Sequence, residues 1–367
     1  MLSPNLFKEV QSQLPDSYKE ADDQELSERA WERKRQLGKD LFIPGHHYQK
    51  DNVIQFADEI GDSLQLAQGS ATNRQASFVV FCGVHFMAET ADILTGDDQQ
   101  VILPDLRAGC SMADMANQNQ IERAWEKLID MFGETIIPIT YVNSSAEIKA
   151  FVGRYGGATV TSSNAEKILT WAFKQKKRIL FLPDQHLGRN TAYRLGIPLE
   201  HMRVWDPIYE ELEGDQPLDQ VQMILWQGHC SVHANFRIEH IQSYRASEPD
   251  RNIIVHPECS WEVTQAADLA GSTRFIIEQV KAAPPGSKWA IGTEMNLVKR
   301  LKKQYPEQSI DSLNPEMCPC LTMNRIDLPH FVWVLDELYA GRCPNQITVD
   351  KKVADEALLA IERMLML

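Results

Sequence analysis

Residues 136–145 read IIPITYVNSS, an apolar run that gives way to a tyrosine, an asparagine and two serines. Ile136, Ile137 and Ile139 are β-branched and favour an extended chain. Tyr141 and Asn143 carry polar groups that have no place inside a packed strand. A short apolar strand with polar residues at its carboxyl end is the form an open α/β sheet takes where it meets a ligand. Downstream, AEIKAFVG at 146–153 has helical spacing, and Thr161-Ser162-Ser163-Asn164 forms a hydroxyl-rich turn. A second strand follows in RILFLPDQHLGRNTA (178–192), and Cys230 lies in WQGHCSVH (226–233).

The same plan occurs twice more. LFIPGHHYQ (41–49) ends in His46 and Tyr48, and NIIVHPECS (252–260) ends in His256 and Glu258. Helical patterns follow in VIQFADEI (53–60) and WEVTQAADLA (261–270). The small-residue turns are Gly61-Asp62-Ser63-Leu64 and Gly271-Ser272-Thr273. The second strands are SFVVFCGVHFMAETA (77–91) and KWAIGTEMNLVKRL (288–301). Cys110 closes the first unit in LRAGCSMAD, and Cys318 or Cys320 closes the third in EMCPCLTMN. Strands alternating with helices specify parallel sheets with helices packed on them, and an internal repeat of this kind sets the architecture.

The expected fold is therefore α/β: three αβα domains with short parallel sheets around a pseudo-threefold axis, their strand ends aimed at one central site. The boundaries read as a helical extension at 1–36, then domains at 37–115, 116–235 and 236–344. An insertion falls at about 195–220, and a C-terminal helix within 345–367 is expected to pack back on the first domain. Ser144-Ser-Ala-Glu147 and Ser163-Asn-Ala-Glu166 fit the capping box of a helix start.

Composition narrows the function. The chain has 367 residues, 43% hydrophobic and 24% charged, enough for several cores. A net charge of −14 disfavours nucleic-acid and anionic-membrane partners, since both are polyanions. Residues 1–23 lack the apolar core of a signal peptide, and no apolar run approaches a bilayer span. A cytoplasmic location follows, where the seven cysteines are not expected to form disulfides.

Most of those cysteines fit as small core residues. Cys110, Cys230 and one of Cys318 and Cys320 stand apart, one per repeat at corresponding places. No C-x-x-C pair marks a zinc site. Three thiolates suit a [4Fe–4S] cube instead, holding three irons and leaving the fourth open as a Lewis acid.

The motifs also resemble a known family. GHHYQK (45–50), GDSLQLA (61–67), AGCSMAD (108–114), TYVNSSAEIKA (140–150) and TSSNA (161–165) are similar to those of the quinolinate synthase family. So are GHCSVH (228–233), HPEC (256–259), GST (271–273), GTEMNL (292–297) and CPCLTMN (318–324). The resemblance runs from about residue 40 to the C-terminus and is nearest to the longer Bacillus-like branch. It implies three domains about a pseudo-threefold axis with a [4Fe–4S] cluster at their junction. The implied reaction, a step toward NAD, joins iminoaspartate to dihydroxyacetone phosphate and yields quinolinate, phosphate and two waters.

Carried across, the resemblance implies Cys110, Cys230 and Cys320 as cluster ligands, with Cys318 the competitor for the third place. It implies Glu258 as general base with Tyr48 and His46 as acid/base partners. The implied substrate-binding positions are His46, Ser63, Tyr141, Val142, Asn143, Ser162, His256, Pro257, Glu258 and Thr273. Cys82, Cys259 and Cys343 are not expected to ligate. A functional link to L-aspartate oxidase, the source of the imine, is a further implication. Two other readings remain: another non-redox [4Fe–4S] hydro-lyase, and a non-catalytic iron–sulfur or zinc protein that senses redox state.

Overall fold

The computed structural model describes residues 14–215 and 217–367. Residues 1–13 of the expected N-terminal extension, and Gln216 of the expected insertion, lie outside them. The protein is α/β, built of short parallel sheets and helices, and divides into two compact units. One comprises 1–110 and 320–348, the other 111–319 and 349–367.

The larger unit carries two sheets. In one, Ala158–Val160, Ile136–Tyr141, Arg178–Leu182 and Met223–Trp226 lie side by side in parallel. Met202–Asp206 extends this sheet in parallel, and Glu211–Leu212 closes it antiparallel. The second sheet runs Leu269–Ala270, Asn252–Val255, Lys288–Gly292, Ser309–Ser312, all parallel. Ile136–Tyr141 and Arg178–Leu182 are buried along their whole length, as strands covered on both faces must be. Trp125, Leu128 and Phe132 of helix Gln118–Phe132 pack with Leu180, Leu182, Trp205 and Trp226 in a core of this unit.

In the smaller unit, Leu41–Phe42, Phe78–Val80 and Gln100–Ile102 are parallel, and Gln346–Ile347 joins antiparallel. Pro44–His46 pairs with Glu59–Gly61, and Gly45 bridges to Cys82. With strands counted in chain order, the order is second, first, third, fourth in the first and third repeats; in the second, Met223–Trp226 takes the fourth place and Met202–Asp206 and Glu211–Leu212 lie beyond it. The order reverses between the first and third strands, so the loops leaving their carboxyl ends flank the place where such sheets bind ligands.

The structure departs from the sequence reading in several ways. Helices at 53–60 and 261–270 were expected; the helices found are Asp51–Ile54 and Trp261–Ala266, and the residues after them form strands Glu59–Gly61 and Leu269–Ala270. Strands of two or three residues are too short to show alternation. The strands ahead of the cysteines, Gln100–Ile102, Met223–Trp226 and Ser309–Ser312, went unread as well; at three or four residues they too are short.

Neither expected capping box forms. Ser145 and Asn164 occupy the N-cap positions without a side-chain cap. Ser144 Oγ donates to the Tyr141 carbonyl at 2.8 Å, because the helix opens one residue later than the motif requires.

The C-terminal helix, Lys351–Met366, packs on helix Ala146–Arg154 and strand Ala158–Val160 of the second repeat, not on the first domain. A Cβ at Gly153 would collide with the Glu356 carbonyl, so glycine permits this approach. Arg363 Nη1 donates to the Gly157 carbonyl at 2.6 Å and Asn164 Nδ2 to the Met364 carbonyl at 3.3 Å.

Candidate active site

The loop after strand Asn252–Val255 is fixed by its own backbone. His256 N–H donates to the Gly292 carbonyl at 3.0 Å, and Glu258 N–H donates to His256 Nδ1 at 3.3 Å. With Nδ1 an acceptor, the neutral ring carries its proton on Nε2, which lies 3.2 Å from Ser162 Oγ. Burial lowers the His256 pKa to about 3, so the ring is neutral at neutral pH. The first repeat has the same turn: His46 N–H donates to the Cys82 carbonyl at 3.0 Å, and Tyr48 N–H to His46 Nδ1 at 3.2 Å. His46 and Tyr48 are thus the counterparts of His256 and Glu258.

Glu258 is 4% exposed. Tyr141 Oη donates to its Oε1 at 2.6 Å, and His233 Nδ1 lies 2.8 Å from its Oε2. The His233 ring stacks on that of His256 with centroids 4.6 Å apart, and its Nε2 is 3.3 Å from Thr293 Oγ1. Burial by itself would raise the Glu258 pKa, but the His233 and His256 rings and the Tyr141 hydroxyl hold the carboxyl below its ordinary range. Glu258 is therefore ionised at neutral pH. Asp184 is pushed the other way, well above the ordinary range, by burial and by the charge of Glu258. It caps helix Gln185–Arg194 by accepting the amides of His186 and Leu187 at 3.0 and 3.2 Å.

Three of these residues escaped the sequence reading. His233 lies three residues past Cys230, 25 and 60 residues from Glu258 and Thr293, so no local pattern announces it. Asp184, two residues beyond strand Arg178–Leu182, could have been read from its place at a strand end. Asn190, 2% exposed, donates through Nδ2 to the carbonyls of Pro257 at 2.8 Å and Cys259 at 2.9 Å, clasping the backbone on both sides of Glu258.

Val142 is buried, with its amide given to the Val160 carbonyl. Asn143 points a buried Oδ1 with no hydrogen-bond partner; an unmet buried acceptor calls for an outside donor. Ser63 and Thr273 each open a helix, Ser63–Thr72 and Thr273–Ala282, while Ser162 lies three residues ahead of Ala165–Gln175.

The cysteines divide by environment. Burial raises the thiol pKa of Cys82 and Cys259, which keeps both protonated and poor as ligands. Cys110, Cys230 and Cys320 are half-buried, whereas Cys318 is exposed. Three residues after Cys110, Cys230 and Cys320 begin the 3₁₀ turns Ala113–Met115, His233–Asn235 and Met323–Arg325. Eight residues after them begin the helices Gln118–Phe132, Ile238–Ser247 and Leu328–Tyr339. Cys318 does not share that spacing. Among the described residues, the ligand atoms of Cys230, His233 and Glu258 lie within 4.8 Å of one another. The larger unit brings together Tyr141, Ser162, His233, His256 and Glu258, and also carries Val142, Asn143, Cys230, Pro257, Thr273 and Cys318. His46, Tyr48, Ser63, Cys110 and Cys320 belong to the smaller unit.

Comparison with known proteins places these features in context. The family model described as quinolinate synthetase A protein matches residues 29–366. A quinolinate synthase of Geobacillus thermodenitrificans is 65% identical over 361 residues, 98% of each chain. One of Anoxybacillus flavithermus is 65% identical over 352 residues, 96% of each chain, and one of Bacillus cereus 62% over 356, 97% of each.

Proposed function

From the premise that this chain belongs to the quinolinate synthetase A family and is a quinolinate synthase, an enzyme of NAD biosynthesis, we propose how its residues divide the work. The substrates are iminoaspartate and dihydroxyacetone phosphate, and the products quinolinate, phosphate and two waters. The observation that carries this reading is the buried, ionised Glu258 held between Tyr141 and His233.

Ring formation requires protons to be taken from and returned to carbon next to a carbonyl or imine. Glu258 is the base. The Tyr141 hydroxyl and the His233 ring, one at each carboxylate oxygen, are the groups through which a proton reaches or leaves it. His256 stays neutral and presents Nε2–H beside Ser162, a donor pair suited to a carboxylate. His46 and Tyr48 act as the acid/base partners contributed by the first repeat. Ser63 and Thr273 meet anionic groups where helix-opening amides favour negative charge. The unmet Asn143 Oδ1 suits an N–H or O–H of the substrate, and the backbone at Val142 and Pro257 shapes the pocket. A three-domain, pseudo-threefold arrangement belongs to this proposal, as does a link to L-aspartate oxidase.

The residues also suit a cluster. Cys110, Cys230 and Cys320 would hold a [4Fe–4S] group. Their shared spacing from a 3₁₀ turn and a helix, and their half-buried thiols, support Cys320 over Cys318. Bound there, the cluster supplies an iron open to substrate oxygen or nitrogen as a Lewis acid.

The test is anaerobic assay of iron-replete protein with both substrates. Quinolinate is expected from the wild type, and Glu258→Gln should slow turnover by about 10²–10⁴-fold with iron content unchanged. Absence of quinolinate from replete wild type would leave a different hydro-lyase as the better reading.

A further inference from the structure

Thiolates gathered at one point repel each other until a metal arrives. Ligands held in place beforehand bind metal more tightly than ligands that must be ordered on binding. Cys110 and Cys230 stand 120 residues apart, so groups other than the thiols have to fix their loops.

The larger unit contains such groups. Strand Met223–Trp226 ends on Trp226, four residues ahead of Cys230. The Trp226 side chain is buried in the core that also holds Trp125, Leu180 and Trp205. Its Nε1–H donates to the Met115 carbonyl at 2.8 Å. Met115 closes the 3₁₀ turn Ala113–Met115, five residues past Cys110. Two further bonds join the same segments. His229 N–H donates to Met115 Sδ at 3.3 Å, and Ser111 Oγ lies 3.3 Å from Ser231 Oγ. A Cβ at Gly228 would collide with the Pro183 carbonyl and touch Met115 Cβ, so glycine lets the segments close. Residues 111 and 115 are thus tied to residues on both sides of Cys230.

The bond recurs in the next repeat. Asn235 stands five residues past Cys230, and its carbonyl accepts Asn314 Nδ2 at 3.2 Å, from the segment that leads to Cys318 and Cys320. Trp205 supplies the contrast. It is the register partner of Trp226 on the neighbouring strand, lies in the same core and is as deeply buried. Its Nε1 has no hydrogen-bond partner among the described residues. Both rings fill the core, and of the two only Trp226 reaches a cysteine loop.

We infer that Trp226 is a positioning residue for the cluster thiols. Through the Met115 carbonyl, its indole N–H holds the Cys110 loop to the Cys230 loop before iron is bound. This inference rests on the ligand assignment proposed above and adds to it how two of those ligands are set.

Trp226→Phe and Trp205→Phe remove the same atoms from the same core, and both should lower the Tm of the metal-free protein. Only Trp226→Phe should speed the loss of iron to a chelator from the anaerobic, iron-replete, full-length enzyme, by on the order of tenfold to a hundredfold. A wild-type rate in Trp226→Phe, or equal acceleration in the two variants, would overturn the inference. Should Trp226→Phe not fold, Met115→Leu decides, since it keeps the volume and removes the sulfur that accepts the His229 amide. Faster iron loss at unchanged Tm would then support the tie, and an unchanged rate would refute it. Hydrogen exchange in the metal-free proteins separates this inference from the cluster itself. Amides within 111–116 and 227–231 should exchange faster in Trp226→Phe than in Trp205→Phe. A wild type that takes up no iron would sink the cluster assignment while that difference upheld the tie; no difference would refute the tie.

Discussion

Glu258 owes its state to residues that the chain order scatters. Tyr141 lies 117 positions before it, His233 25 positions before it, and Asn190 holds the carbonyls on either side of it. The identity of the carboxylate was legible from a strand ending in NIIVHPECS, because apolar-to-polar transitions mark strand ends. Its supporting residues were not, since a side chain that acts through a spatial neighbour leaves no spacing to read. Asn190→Asp offers a test at this scale. It keeps the shape but replaces a two-hydrogen donor by an acceptor facing two carbonyls. The expected outcome is a kcat reduced by about tenfold or more with KM for both substrates little changed, as for a residue that positions the base. A proportional rise in both KM values would mean that the loop had simply come apart.

Among the elements, the N-terminal helices Asp16–Glu20 and Asp23–Leu37 are moored to one buried residue, Asp336 of helix Leu328–Tyr339. Tyr18 Oη donates to it at 2.7 Å, and Arg29 and Arg33 pair with it, each at 2.6 Å. Asp336→Asn should weaken this attachment by on the order of 2 kcal/mol, since it leaves two guanidinium groups without their counter-charge. Faster proteolysis within residues 14–37 and a lower Tm are the readouts. The same contact makes the attachment sensitive to alkali. Burial, together with the hydrogen bond to Asp336, raises the Tyr18 pKa to about 12, above its ordinary value near 10. A raised pKa means that the folded state holds the proton more tightly. The stabilisation is therefore full below about pH 10 and fades as pH climbs toward about 12. Tyr18→Phe should remove that part of the alkaline decline, measured by thermal melts across this range.

For the whole molecule, the sharpest question is which thiols hold iron. Cys320→Ser and Cys230→Ser should each abolish cluster binding in anaerobic preparations. Cys318→Ser and Cys82→Ser should retain about four irons per chain. Iron lost from Cys318→Ser but kept in Cys320→Ser would reverse the assignment. No described helix is long and apolar enough to cross a membrane, and a net charge of −14 leaves nucleic acid a poor partner.

The sequence by itself determined the α/β class, the threefold repetition of the chain plan and the chemically able residues at its strand ends. Those features are written locally, in short apolar runs and in the polar residues that end them. Tertiary structure alone decided which helix the C-terminal segment covers and which imidazole faces Glu258. Packing, burial and pairing depend on surfaces brought together across scores of residues, and no spacing along the chain encodes the distance between them.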